Sequence, residues 1–366
     1  MSDQAPSGYI RGLNVRKRIS RAQPKGLPIV NMGYNEMPFA PSDKVQAAIA
    51  ETATQANRYG NAMCNDLREA LFARHGLDPD QLICGNGSEE LLDVVARCFV
   101  RPGDEIVISQ YGYIQFSMIA NRLGATLVPA PEAEFTTEVD QILAAVGEKT
   151  KLVFLANPNN PTGTMVPLEE LTRLAEGLPP AVVLVLDLAY GEFVGMDYCV
   201  GVHALVEAHS NIVATRTFSK VYGLAGLRAG WAHAPAAMMG GLYAARGMGS
   251  VNAFAQAAGL AALDDQERVD SNVRLIVSER ERLSAVLAGL GLTLASSHTN
   301  FVMCALPGDD GAKATQLTEY LFDEAGIVVG PVREPGLERF VRFSLSLPEH
   351  NDLLIETLKA FLQSAR

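Results

Sequence analysis

The sequence predicts an α/β protein with a largely parallel sheet, followed by a smaller α+β unit. Short apolar runs of strand length alternate with longer helical patterns between residues 81 and 232, and that alternation builds parallel sheets with helices packed on them. Most of these runs are continuously apolar rather than alternating, as strands covered on both faces are. At 366 residues the chain also exceeds what a single core usually fills, so two units are expected.

Strands are predicted at Gln81–Cys84, Glu105–Ser109, Thr126–Pro129, Leu152–Ala156, Val182–Asp187, Ile212–Thr217 and Arg228–Ala232. Between them, Ser88–Val100 reads as a helix that opens on Ser-Glu-Glu and stops before Pro-Gly. Tyr113–Leu123 ends at Gly124, and Leu168–Gly177 follows Pro167. Ala261–Leu290 reads as one long helical region rich in Arg and Glu. A strand at Asn300–Leu306, a helix at Ala312–Ala325, short strands at Ile327–Val329 and Phe340–Leu345, and a helix from Pro348 complete the smaller unit. The expected division is an N-terminal arm over 1–40 that also contributes to the small domain, a large domain over 41–265 and a small domain over 266–366.

With 48% hydrophobic and 19% charged residues the chain is globular rather than disordered. A net charge of -11 argues against a general nucleic-acid binder. The acidity is uneven: no acidic residue lies between Asp3 and Glu36, where Arg11, Arg16, Lys17, Arg18, Arg21 and Lys25 fall, and the stretch reads as a mobile basic arm. Five widely spread cysteines without CxxC or a Cys/His cluster support neither a disulfide frame nor a metal centre, and suit reduced thiols in the cytoplasm. Neither a membrane-spanning run nor an apolar signal segment is evident.

Chemistry concentrates at the predicted strand ends. Thr217-Phe-Ser-Lys220 is followed by a Gly/Ala-rich loop reaching Arg228. A lysine just past a buried strand, among apolar neighbours, has no solvated helix face to occupy. Lysine turns nucleophilic toward carbonyls when burial or nearby cations disfavour its ammonium. Thr217, Ser219 and Arg228 together suit a phosphate. The segment reads either as a Schiff-base lysine beside a phosphate site or as a structural turn. Asp187 closes another buried strand, where a carboxylate needs a cationic partner. A protonated pyridine nitrogen is one such partner; a helix N-cap is the other reading, and Lys220 one strand further on favours the first. Tyr190, three residues later, can donate to a ring oxygen. Asn157-Pro-Asn-Asn160-Pro-Thr-Gly163 forms a rigid turn that presents an amide where such sheets bind ligands. Gly85-Asn-Gly87-Ser88-Glu89 is a turn and helix start in either reading, and its free N–H groups can add phosphate binding.

Taken together, these segments resemble the fold-type I aminotransferases dependent on pyridoxal 5'-phosphate (PLP), most closely the histidinol-phosphate aminotransferase branch. The resemblance runs from about Asn31 to the end. It rests on Asn35-Glu36-Met37-Pro38, Asn57-Arg58-Tyr59 and Gly87-Ser-Glu-Glu-Leu, which are similar to motifs of that branch, and on Asn159-Asn-Pro-Thr-Gly, Asp187-x-x-Tyr190, Ser219-Lys220 and Gly226-Leu-Arg228, which match in order and spacing. The resemblance implies an aspartate aminotransferase-like fold. It implies that Lys220 binds the cofactor and shuttles the proton, that Asp187 pairs with the pyridinium nitrogen, and that Tyr190 and Asn160 hydrogen-bond the ring oxygen. Tyr113 would stack on the ring. Ser88, Glu89, Thr217, Ser219 and Arg228 would hold the phosphate. Tyr59 would reach the partner subunit's cofactor, which implies a homodimer. Arg342, in Phe340-Val-Arg-Phe-Ser, would grip the substrate carboxylate or an equivalent anion, with Asn35 and Asn160 also at the substrate.

The implied reaction is transamination of histidinol phosphate with 2-oxoglutarate, giving imidazole-acetol phosphate and glutamate, and the partners are small molecules. Gly330 stands where this branch usually carries a phosphate-binding arginine. Arg333 or an N-terminal arginine is a candidate to replace it. The gap keeps an aromatic or other amino acid aminotransferase as the alternative. A PLP-dependent decarboxylase of an O-phospho amino acid is the alternative of another class.

Overall fold

The computed structural model describes residues 26–308, 311–332 and 334–364; the basic stretch from Arg11 to Lys25 and Arg333 lie outside the described residues. A seven-stranded sheet runs in the order Leu82–Gly85, Gly230–His233, Ile212–Thr217, Val183–Asp187, Thr150–Ala156, Glu105–Ser109 and Thr126–Ala130. Its neighbours pair in parallel, except that Gly230–His233 runs antiparallel to both strands beside it. Successive side chains leave opposite faces of a strand. Phe154 and Val185 therefore join one apolar layer with Leu91 and Phe116, while Val153, Leu155, Leu184 and Leu186 join another with Leu171 and Val202. Both faces are covered by helices, which is why these strands read as unbroken apolar runs.

The strands fall where the sequence places them, with ends shifted by a residue or two. Ala261–Leu290 is a correction: it is two helices, Ala253–Leu263 and Gln266–Gly289, not one. The break is at Asp264-Asp265. Short acidic side chains compete with helical hydrogen bonding, and Lys44 Nζ holds both the carbonyl (3.2 Å) and the carboxylate (3.0 Å) of Asp264. The first of the two starts eight residues earlier than expected, where the Asn252 side chain accepts from the Ala255 N–H at 2.9 Å and caps it. Helices at Asp43–Ala53, Asn65–His75, Met196–Ala208 and Ala236–Ala245 lie outside the sequence reading. Among the described residues no helix is long and apolar enough to cross a membrane.

A second sheet, antiparallel, runs Thr293–Leu294, Phe301–Ala305, Phe340–Ser344, Gly330–Pro331. Helices Gln266–Gly289, Ala312–Ala325 and Pro348–Ser364 complete this part. Near the other end of the described chain, Val30–Asn31 pairs in parallel with Ile327–Val328.

One rim of the large sheet collects the chemistry. Gly85, Ser109, Ala156, Asp187 and Thr217 are each the last residue of a parallel-facing strand, and Gly230 is the first residue of the antiparallel one. Segments leaving or entering at that rim carry the polar side chains described next.

Candidate active site

The rim opens into a cavity of about 450 Å³. Ser88, Glu89, Tyr113, Asn160, Asp187, Tyr190, Thr217, Ser219, Lys220, Arg228, Asn35 and Arg342 all line it. Among the described residues, Tyr59 is the one sequence-named site residue that lies elsewhere. It is 104% exposed and borders a separate surface hollow with Arg58, Gly60 and Ala253.

Asp187 is buried, and burial pushes its carboxyl up from 3.8 to about 6. The Thr215 hydroxyl, in register one strand over, donates to Oδ1 at 2.9 Å and partly offsets that cost. Both hydrogen-bond donors, Thr215 and the Ala189 backbone, are neutral, and the one cation that favours the carboxylate, Lys220, is the smallest of the contributions and does not offset its desolvation. Lys220 Nζ donates to the Asn35 carbonyl at 3.1 Å and sits 5.6 Å from the centre of the Tyr190 ring.

A third corner is built for an anion. The Ser88–Phe99 helix starts from Gly87 with no side-chain cap, leaving first-turn N–H groups at the cavity with the positive end of the helix behind them. Two glycines make room there. A Cβ on Gly230 would lie 2.4 Å from the Ser88 nitrogen, and one on Gly87, at φ 83°, would lie 2.5 Å from Arg228 Nη2. Arg228 itself has φ 59° and lies outside the strand that the sequence starts with it; the strand begins at Gly230. Its guanidinium meets Ser219 Oγ at 3.3 Å and the Glu89 carboxylate at 3.3 Å. Glu89 also accepts from the Tyr113 hydroxyl at 2.5 Å, and burial together with Glu89 pushes the Tyr113 phenol up.

The opposite wall comes from the second sheet. Arg342 donates from Nη1 to Asn160 Oδ1 and from Nη2 to the Gly33 carbonyl at 3.1 Å, while its buried Nε has no partner among the described residues. Its strand neighbour in register is Gly330, where an added Cβ would meet nothing within 4 Å among the described residues.

The chain matches the family model for aminotransferase class I and II over residues 28–358. It is 42% identical to the histidinol-phosphate aminotransferase of Paramagnetospirillum magneticum, across 91% of this chain and 92% of that one. The chain belongs to the class I and II aminotransferases. Among solved structures it is similar to the Sinorhizobium meliloti histidinol-phosphate aminotransferase in complex with pyridoxal-5'-phosphate (TM-score 0.87, 32% identity, 92% of this chain and 91% of that one). The L-threonine-O-3-phosphate decarboxylase of Porphyromonas gingivalis has the same fold at 22% identity (TM-score 0.76, 92% of this chain and all of that one).

Three residues of this aminotransferase's site were absent from the sequence reading or had a different role in it. Asn35, named there only for substrate, is buried at φ 55°. Its Nδ2 donates to the Tyr190 hydroxyl at 2.9 Å, and its carbonyl accepts from both Lys220 and Asn300. Ser344 accepts from the Asn35 N–H at 2.8 Å and donates to Asn35 Oδ1 at 3.1 Å. Asn300 opens the predicted strand Asn300–Leu306 after three polar residues, and Ser344 shares the strand Phe340–Leu345 with Arg342, so neither stands out from its neighbours.

Proposed function

We propose that this aminotransferase is a PLP-dependent histidinol-phosphate aminotransferase that passes the amino group to 2-oxoglutarate. The observation that carries the reading is the convergence, in one cavity, of a lysine amine, a desolvated carboxylate, an uncapped helix start beside an arginine, and a second arginine on the facing wall. The relatives named above support the substrate.

The cofactor, when bound, supplies a carbonyl that takes up amines and a ring that draws electrons from the attached carbon. Asp187 would hold the ring nitrogen in its protonated form, which would put a cation in direct contact with the buried carboxylate. Ser88 and Glu89 N–H groups, Thr217, Ser219 and Arg228 would hold the phosphate. Tyr190 accepts from Asn35, so its own proton is left to donate to the ring oxygen. Asn160 accepts from Arg342, which leaves its amide N–H groups for the same oxygen. Tyr113 would cover the ring face. Lys220 would bind the cofactor's carbonyl carbon and would move a proton at the donor carbon; its link to the Asn35 carbonyl holds the amine at the cavity. Arg342 would bind the carboxylate of the oxo acid and of glutamate, its fork already oriented by Asn160 and Gly33.

The three-part division at residues 40 and 265 belongs to this reading, with the small domain carrying Arg342. So does a homodimer: the full exposure of Tyr59 supports its reaching a partner subunit's phosphate. All five cysteines are free, in keeping with the cytoplasm. A second reading, an aminotransferase of aromatic or other amino acids, draws on the open space at Gly330, where a phosphate would find no arginine of that strand.

A half-reaction screen tests the choice. With PLP supplied, the wild type should show the near-visible band of lysine-bound cofactor and Lys220→Ala should not. Histidinol phosphate should bleach the band. Bleaching by phenylalanine but not by histidinol phosphate would establish the second reading, and carbon dioxide release without an oxo product would establish the lyase.

A further inference from the structure

Behind the sheet, on the face away from the cavity, lies a charged pair that the chemistry above does not use. Thr215 and Thr217 turn toward the site, so Arg216 between them points to the other face. Its side chain is 1% exposed, and Nη2 meets Glu192 Oε1 at 2.6 Å, with the Glu192 side chain 4% exposed. The guanidinium lies 5.2 Å from the centre of the Trp231 ring. That ring is in turn stacked by His203 at 5.3 Å and His75 at 5.5 Å. Arg216 Nε and Nη1 find no hydrogen-bond partner among the described residues.

Such a pair is a poor source of stability. Two buried charges with unfilled hydrogen-bonding capacity do no better than apolar side chains of the same size. What the pair does well is fix where two segments sit. Arg216 precedes Thr217, Ser219 and Lys220 on one segment. Glu192 lies in the short turn Gly191–Phe193, directly after Asp187 and Tyr190 on the other. We propose that the Arg216–Glu192 pair is a positioning device that clamps the lysine-bearing and aspartate-bearing segments in register from behind the sheet. It thereby sets the placement of Lys220 relative to Asp187 and Tyr190. The inference rests on the PLP reading above.

The test is a double replacement, Arg216→Met with Glu192→Leu, which leaves no unpaired charge buried. The holoenzyme should melt within about 5 °C of wild type. Its near-visible circular dichroism, which reports how the cofactor is seated, should lose intensity. Its kcat should fall about ten- to a hundredfold while the donor KM stays within about threefold. A folded double variant that keeps both dichroism and kcat overturns the proposal. Should the double variant fail to fold, Glu192→Asp decides: the charge is kept and the reach is one methylene shorter. Loss of dichroism and kcat in that folded protein supports the clamp; their retention, even with a lower melting temperature, overturns it. A wild type that shows no near-visible band with PLP supplied would overturn the cofactor reading instead, so the two failures are distinguishable.

Discussion

Asp187 shows how one side chain links stability to function. Its carboxyl titrates near 6 in the folded chain and near 3.8 in an ordinary setting. A raised value means that the folded state holds the proton more tightly, so the contribution to stability is full below about 4 and is lost as the pH rises through about 6. The loss is on the order of 2–4 kcal/mol in the cofactor-free protein. Asp187→Asn should flatten thermal stability between pH 4 and 7 in cofactor-free protein, while abolishing most transamination; a variant with the same pH slope as wild type would contradict the assignment. Gly330 is the second telling residue. Gly330→Arg fits the open space beside Arg342 and should lower KM for the phosphorylated donor about tenfold. An unchanged KM would mean that another group already binds the phosphate. Asp187 and Lys220 were legible as candidates because each is a charged residue at or just past the end of a buried apolar run, where a carboxylate or an ammonium needs a partner. Asn35 was legible only in part, since its grip on Lys220 and Tyr190 crosses 185 and 155 residues, and no spacing rule spans that distance.

At the scale of elements, the strands were readable because burial on both faces leaves a continuous apolar signature. The helix break at Asp264-Asp265 was not, because the apolar pattern runs on across it and its contact with Lys44 comes from a helix 220 residues earlier. The helices at Asp43–Ala53 and Asn65–His75 bury few residues each, so their apolar stripe is thin. The crossing of the Gly230–His233 strand against the start of the Ser88–Phe99 helix makes a sharper prediction. An added methyl on Gly230 is caught between two backbone groups, the Gly87–Ser88 peptide at 2.4 Å and the Arg216 carbonyl at 2.9 Å. Gly230→Ala should therefore cost about 1–3 kcal/mol in denaturant unfolding and weaken PLP binding by shifting the helix start. Gly226→Ala, where nothing lies within 4 Å, should leave both unchanged and serves as the control.

At the scale of the whole molecule, Arg342 is the point where the two sheets meet across the cavity. It reaches Asn160 at the rim of the large sheet and Gly33 in the segment that follows Val30–Asn31. Arg342→Lys keeps the charge but not the fork. KM for 2-oxoglutarate should rise about tenfold with a smaller change in kcat, read from steady-state kinetics with both substrates varied. An unchanged KM would place the carboxylate elsewhere.

The pairing of Val30–Asn31 with Ile327–Val328 has a consequence in time as well as space. Asn35 is held by Ser344, 309 residues away. A ribosome adding residues from the N-terminus has therefore released the lysine, the aspartate and the helix start long before the residue that pins Asn35 exists. The large sheet can form while synthesis continues, since domains fold as they emerge, but the corner around Asn35 and Lys220 is completed only by the last strand among the described residues. A chain cut short after the Gln266–Gly289 helix would carry Ser88, Glu89, Thr217, Ser219 and Arg228, the residues proposed to hold the phosphate, and still lack the Ser344 that pins Asn35 against Lys220 and Tyr190.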